Sequence, residues 1–242
     1  MQEKLTHTHH EKLHQAGGKY LRDLVYGAND GIITTFAVIS GAAGAALSPG
    51  VVIILGLANL LADGISMGLS NFLSLRSEHD FHKMERVRED MEIEKFPNEE
   101  REEVRVILRR WGLPEKHIPE ILDAITSDKK RWVDLMMVEE LGIVESNNEF
   151  PAKHGLVTFA AFITAGSLPL IPYIFGISTE YQFLTSIAAT AIALFAVGSA
   201  RSTIVKTSWL RAGFEMLMVG GFAALAAYFV GGAVKALWGV VI

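Results

Sequence analysis

The sequence predicts an all-α polytopic membrane protein with five transmembrane helices and a cytoplasmic helical insert between the second and third. Three observations lead there. Half of the 242 residues are hydrophobic and the mean hydropathy is +0.29, too apolar for an ordinary soluble domain. The charges are confined: residues 76–153 hold 14 of the 22 Lys and Arg and 20 of the 27 Asp and Glu. Outside that stretch, apolar runs of about 20 residues recur, the length a helix needs to cross a bilayer core. The resulting division is a polar tail at 1–20, transmembrane helices 1 and 2 at 21–75, the charged insert at 76–153, and transmembrane helices 3 to 5 at 154–242. With no cysteine in the chain, disulfide frameworks, thiolate metal sites and cysteine nucleophiles are excluded. A net charge of -5 with no basic face argues against a nucleic-acid partner.

The tail carries His7, His9, His10 and His14, half of the eight histidines, a tract able to scavenge metal but short and irregular. It has no apolar core or cleavage pattern, so it is not read as a signal peptide. The first span, Tyr26 to Leu47, reaches full length only by including Asp30, and the second, Val51 to Leu75, contains Asp63. Ser48-Pro49-Gly50 between them reads as a tight reversal. The second span meets no breaker and is expected to continue as one helix into the charged sequence. Within the insert, Pro97, Gly112-Leu113-Pro114 and Pro119 separate helical stretches at Glu78 to Lys95, Glu99 to Trp111, Pro119 to Thr126 and Lys129 to Leu141. Leu156 to Phe175, Phe183 to Ala200 and Met216 to Leu237 complete the spans. Placing the amino terminus, the insert and the Arg201–Arg211 loop on one side gathers 21 of the 22 basic residues there. That side is expected to be cytoplasmic, with the carboxyl terminus outside. Gly27-x3-Gly31 and Gly64-x3-Gly68 are small-residue faces suited to close helix packing.

A carboxylate at membrane depth costs several kcal/mol even on lenient scales, of order ~3, so Asp30 and Asp63 are functional candidates. Asn59, Asp63 and Met67 follow at i, i+4 and i+8 and share one helix face. Hard oxygens beside a thioether suit a divalent transition metal, because Mg²⁺ and Ca²⁺ gain nothing from sulfur. A carboxylate that exchanges its proton for the metal also supplies antiport. Asp63 as a protonated interhelical donor, with Met67 as packing, is the other reading. In the insert, Glu89/Glu92, Glu99/Glu102 and Glu100/Glu103 are Glu-x-x-Glu pairs with both carboxylates on one helix face. In so acidic a segment such pairs also arise by chance, and a solvated charged face fits them as well. Met136 and Met137 precede Glu140 by one turn and offer either sulfur to an oxygen site or apolar packing. No Walker loop, H-E-x-x-H or nucleophile elbow is present, so the chain is not expected to be an enzyme.

Taken together, Arg22-Asp23-Leu24-Val25-Tyr26-Gly27-Ala28-Asn29-Asp30-Gly31, Ile65-Ser66-Met67-Gly68, Ser77-Glu78, Met136-Met137-x-x-Glu140-Leu141-Gly142 and Pro169-Leu170-Ile171-Pro172-Tyr173 resemble the vacuolar iron transporter family over almost the whole chain. The resemblance implies a homodimer of five-helix subunits in a lipid bilayer, exchanging protons for Fe²⁺ and often Mn²⁺; Zn²⁺ and Co²⁺ are further candidates for the bound ion. It places the family's cytoplasmic metal ligands on Glu89, Glu92, Glu100, Glu103, Glu140, Met136 and Met137, and its membrane residues on Asp30 and Met67. Where characterised members carry a second-helix glutamate this chain has Asn59, which cannot hold a proton; Asp63, one turn along, is the expected substitute. A prokaryotic-type member in the cell's inner membrane is the expected setting. Two other functions compete with export of Fe²⁺ from the cytoplasm. One is a membrane-anchored iron-binding or ferroxidase-like protein without transport, the other a membrane scaffold whose acidic insert docks a basic partner.

Overall fold

The computed structural model describes residues 20–144, 150–205 and 207–239, with residues 203–205 as helix backbone only. His7, His9, His10, His14 and Lys206 lie outside the described residues. Among those described there is no strand, and the helices are α1 (Leu21–Gly44), α2 (Pro49–Lys95), α3 (Pro97–Arg110), α4 (Ile118–Thr126), α5 (Lys129–Glu139), α6 (Pro151–Gly166), α7 (Ile171–Ile174), α8 (Gln182–Val205) and α9 (Trp209–Trp238). The chain divides into two compact units, one of Met1–Phe72 with Pro151–Ile242 and one of Leu73–Phe150.

In the first unit α1 is the hub, packed on α6 and α9, while α9 also packs on α8. Its buried face is made of glycine, serine and threonine as well as Ile32, Phe36 and Ile39. That composition explains a difference from the sequence reading. Four helical segments are long and apolar enough to cross a membrane: α2, Pro151–Ile174, Gln182–Ser202 and α9. The 24-residue α1 has the length but not the hydropathy. A helix enclosed by its neighbours has no lipid to face and can carry Asn29, Asp30, Thr34, Thr35 and Ser40.

The reversal after α1 lies earlier than expected. Ala46 takes the left-handed φ of 58° and the Leu47 N–H donates to the Ala42 carbonyl at 2.9 Å, closing the helix end. Pro49 then opens α2 rather than the turn, as its fixed φ and missing N–H suit a first helical turn. Pro169 and Pro172 break the third apolar run after Gly166 into a 3₁₀ turn and the short α7. Phe36, Ile39, Leu60, Phe162, Leu170 and Tyr173 form one apolar core, and Ile32, Ala193, Leu194 and Met216 a second. Large apolar side chains such as Ile54, Leu61, Phe222 and Phe229 stay exposed, an outer surface that water would penalise and acyl chains would cover.

The second unit has its own core, in which Ile93, Val104, Leu108, Leu122, Trp132 and Met136 interlock. Helix α3 starts with Pro97 in its first turn and carries Glu99 and Glu100 there, with Arg109 and Arg110 at its other end, so both ends complement the helix dipole. Asp128 caps α5, its side chain accepting from the Arg131 N–H at 3.1 Å.

Candidate metal sites

Glu89 on α2, Glu100 on α3 and Glu140 just past α5 each present a carboxylate oxygen within 4.8 Å of the other two. Glu89 and Glu100 are buried, 3% and 7% exposed, and each has an oxygen without a hydrogen-bond partner among the described residues. Leaving such oxygens dry and unpaired is costly, and a cation is the group that would satisfy them. Burial pushes Glu89 up to about 8, with the carboxylates of Glu100, Glu140 and Glu92 adding to it. Partial burial, followed by the Glu103 carboxylate, raises Glu140 to about 7. Glu100 is raised as well, first by burial and then by Glu103 and Glu92. These mutual effects bring all five expected glutamates into one electrostatic neighbourhood, with Glu103 in hydrogen-bonding range of Glu140 and Glu100 of Glu89.

Several basic side chains of this unit pair elsewhere. Lys129 binds Asp90 at 2.8 Å and Glu94 at 2.5 Å, Arg109 binds Glu115 at 2.7 Å, Arg101 binds Asp123 and Arg86 binds Asp134. Among the described residues only Glu92 of the five has a salt bridge, to Arg88 at 3.2 Å. Repulsion within the cluster is therefore left to protons or a metal to relieve. Met136 and Met137, 0% and 1% exposed, stand in the apolar core of the same unit.

In the first unit, Asn59, Asp63 and Met67 are half-buried on α2 and Asp30 half-buried on α1, with Asp63 near enough to Asp30 for their charges to interact. Met67 packs against the Phe36–Phe162 core, and the Asn59 Nδ2 is buried without a hydrogen-bond partner among the described residues. The small-residue faces are spent inside the chain: Gly27 lies against the Thr158 carbonyl, Gly64 against Ile163 and Gly68 against the Gly155 carbonyl.

A polar group that the sequence reading missed lies in the same unit. His154 Nδ1 is 2.5 Å from Asp23 Oδ2, and Asn71 Nδ2 donates to Asp23 Oδ1 at 2.8 Å and to Thr158 Oγ1 at 2.7 Å. Two signals were available. Asn71 extends the Asn59, Asp63, Met67 series by one more step of four, and Asp23 precedes Asp30 by seven, again on one helix face.

The VIT family profile matches residues 21–232. The vacuolar iron transporter of Toxoplasma gondii is 38% identical over 237 residues, covering 94% of this chain and 78% of that protein. Vacuolar iron transporter 1 of Arabidopsis thaliana is 31% identical, covering 91% of this chain and 88% of its own length. Its counterpart in Oryza sativa is 30% identical, covering 92% and 88%. These relatives are an apicomplexan and two plants, and they give no support to the expectation of a prokaryotic-type protein. With a profile match across nearly the whole chain and relatives aligned over most of their length, the chain is an integral membrane protein and belongs to the VIT family, a family of transporters and not of enzymes.

Proposed function

We propose that this protein is a proton-coupled exporter of divalent transition metal from the cytoplasm, with Fe²⁺ as its main substrate and Mn²⁺ as a second. The observation that carries the reading is the Glu89, Glu100 and Glu140 cluster: three carboxylates within 4.8 Å, two of them buried, and none paired with a cation among the described residues. An all-oxygen group of this kind suits hard and borderline divalent ions. Glu92 and Glu103 complete the ligand set, and Met136 and Met137 would add sulfur that favours Fe²⁺, Mn²⁺, Zn²⁺ or Co²⁺ over Mg²⁺ and Ca²⁺. The relatives named as vacuolar iron transporters support iron as the cargo.

In the membrane, α1 acts as a fifth span beside the four apolar ones, bringing Asp30 to face Asp63, Met67 and Asn59. Asp63 takes the protonatable role that Asn59 cannot perform. The amino terminus and the 76–153 insert are cytoplasmic, as the distribution of Lys and Arg supports. The working form is a homodimer. Because Gly27, Gly64 and Gly68 pack within the chain, the dimer would use instead the exposed apolar side of α2, where Leu61, Ile65 and Leu69 stand.

The test is Fe²⁺ binding by full-length protein in detergent, followed by calorimetry, for wild type and for Glu100→Ala with Glu140→Ala. Loss of most of the bound Fe²⁺ is expected. Unchanged stoichiometry and affinity in the double variant would remove the cluster from the ligand set.

A further inference from the structure

The first unit contains a buried ionisable pair that the metal ligands do not use. Asp23 and His154 are each 5% exposed and meet through Nδ1 and Oδ2 at 2.5 Å. An ionised carboxylate only accepts, so the hydrogen between them sits on Nδ1 and, in the neutral ring, Nε2 keeps a lone pair. That Nε2 is buried without a hydrogen-bond partner among the described residues. In the neutral ring it is a proton acceptor.

Both charge states of the pair are supported by what surrounds it. With Nε2 bare, Asp23 is a buried anion that still accepts from Asn71 Nδ2 at 2.8 Å and from the ring. With Nε2 protonated, an imidazolium faces that carboxylate and the pair is neutral overall; with Nε2 bare the carboxylate keeps its hydrogen bonds but has no counter-charge, a state that a nearby cation would stabilise. Among the described residues, α2 presents Asn71 to the pair, α6 presents Thr158, whose hydroxyl donates to the His154 carbonyl at 3.0 Å, and the Tyr20 ring lies 4.7 Å from the imidazole. The adjacent Arg22 and Lys153 are exposed.

The pair also lies in line with the metal residues. Asn71 is the next step of four after Asn59, Asp63 and Met67 on α2, and Asp23 is two turns before Asp30 on α1. Intramembrane ionisable groups on such a stripe mark ion and proton routes.

We propose that His154, held in register by Asp23, relays between water and Asp63 the proton exchanged for the metal ion. One H⁺ adds to Nε2, taking the pair from net charge -1 to neutral; its departure restores the negative charge as a cation enters the stripe. No covalent bond other than N–H forms or breaks. This assignment rests on the proton-coupled reading above and names a proton carrier for it. The competing role is a plain structural clasp joining α1, α2 and α6.

The experiment uses full-length protein in liposomes and the double variant Asp23→Asn/His154→Gln, which keeps two hydrogen-bonded amides where a single change would leave a buried charge unpaired. Fe²⁺ entry and proton counterflow are followed together as the pH gradient is varied. The proposal expects the double variant to lose the pH-gradient dependence of Fe²⁺ flux and the proton counterflow with it. A double variant whose pH profile and proton-to-Fe²⁺ ratio equal those of wild type overturns it. So does a monodisperse double variant in which Fe²⁺ flux disappears at every gradient, because that is the outcome of a clasp. If wild type itself moves Fe²⁺ without protons, the underlying proton-coupled reading fails instead, and the variant arm is not needed to see it.

Discussion

Gly68 of α2 and Gly155 of α6 meet backbone to backbone: a Cβ on Gly155 would stand 2.5 Å from the Gly68 carbonyl oxygen, and one on Gly68 2.9 Å from that of Gly155. Neither carbonyl can yield without moving its helix. The contact lies one residue from Met67 and one from His154, so it sets the spacing of the helices that carry the polar stripe. Gly68→Val and Gly155→Val are each expected to cost about 1–3 kcal/mol, the range for overpacking a tight contact, and to lower the thermal unfolding midpoint in detergent. Gly221→Val, at a position with open space around it, should leave the midpoint in place.

The carboxylate cluster makes stability depend on pH in a direction that can be measured. Glu89, pushed up to about 8, and Glu140, at about 7, hold protons in the folded form that an unfolded chain has already released near pH 5. Stability from these groups is therefore fully present below about pH 4.5 and is lost as pH rises through 7 to 8. Metal-free protein should melt earlier at pH 8 than at pH 6, and Fe²⁺ or Mn²⁺ should restore the midpoint at pH 8. Glu89→Gln should flatten the pH dependence, as read by intrinsic fluorescence melting.

Binding should release protons, because a cation replaces them on the same oxygens. Calorimetry at pH 7 in buffers of different ionisation heat is expected to show net proton release on Mn²⁺ addition. Glu100→Ala should weaken binding on the order of tenfold or more, since affinity at oxygen sites follows ligand charge, and should reduce the release. Glu99→Ala changes an exposed carboxylate outside the cluster and is expected to leave both as they are.

Subunit assembly is tested by native mass spectrometry of the detergent-solubilised protein, where a dimer is expected. Leu61→Glu with Leu69→Glu on the exposed side of α2 should shift it to monomer. A wild-type monomer that transports at full rate would end the dimer proposal.

What could be read from the sequence alone followed from local pattern. Apolar runs and prolines located the helices of the charged unit to within a few residues, and the absence of a breaker after Leu75 foretold that α2 runs on to Lys95. Local pattern failed where tertiary context decided. Helix α1 is too polar to pass as a span on hydropathy because its neighbours, not lipid, enclose Thr35 and Ser40. The reversal moved to Ala46 because Pro49 suits a helix start as well as a turn. Glu-x-x-Glu spacing could not separate Glu100 from Glu99; only the approach of α2 and the Glu140 segment to α3 singles out Glu89 and Glu100 and leaves the Glu99/Glu102 pair outside. His154 gave no signal, since a lone histidine beside a charged segment has no visible partner until α1 and α6 are packed.

The most direct test of the account is Fe²⁺ uptake into proteoliposomes under an imposed pH gradient, with wild type beside Asp63→Asn. Wild type is expected to accumulate Fe²⁺ against its own gradient while protons move the other way. Asp63→Asn, alike in shape but unable to titrate, should lose that accumulation while its cytoplasmic carboxylates still bind metal. Fe²⁺ uptake by Asp63→Asn at the wild-type rate with the same proton dependence would contradict the role given to Asp63, and a wild type that moves no Fe²⁺ under any gradient would contradict transport itself.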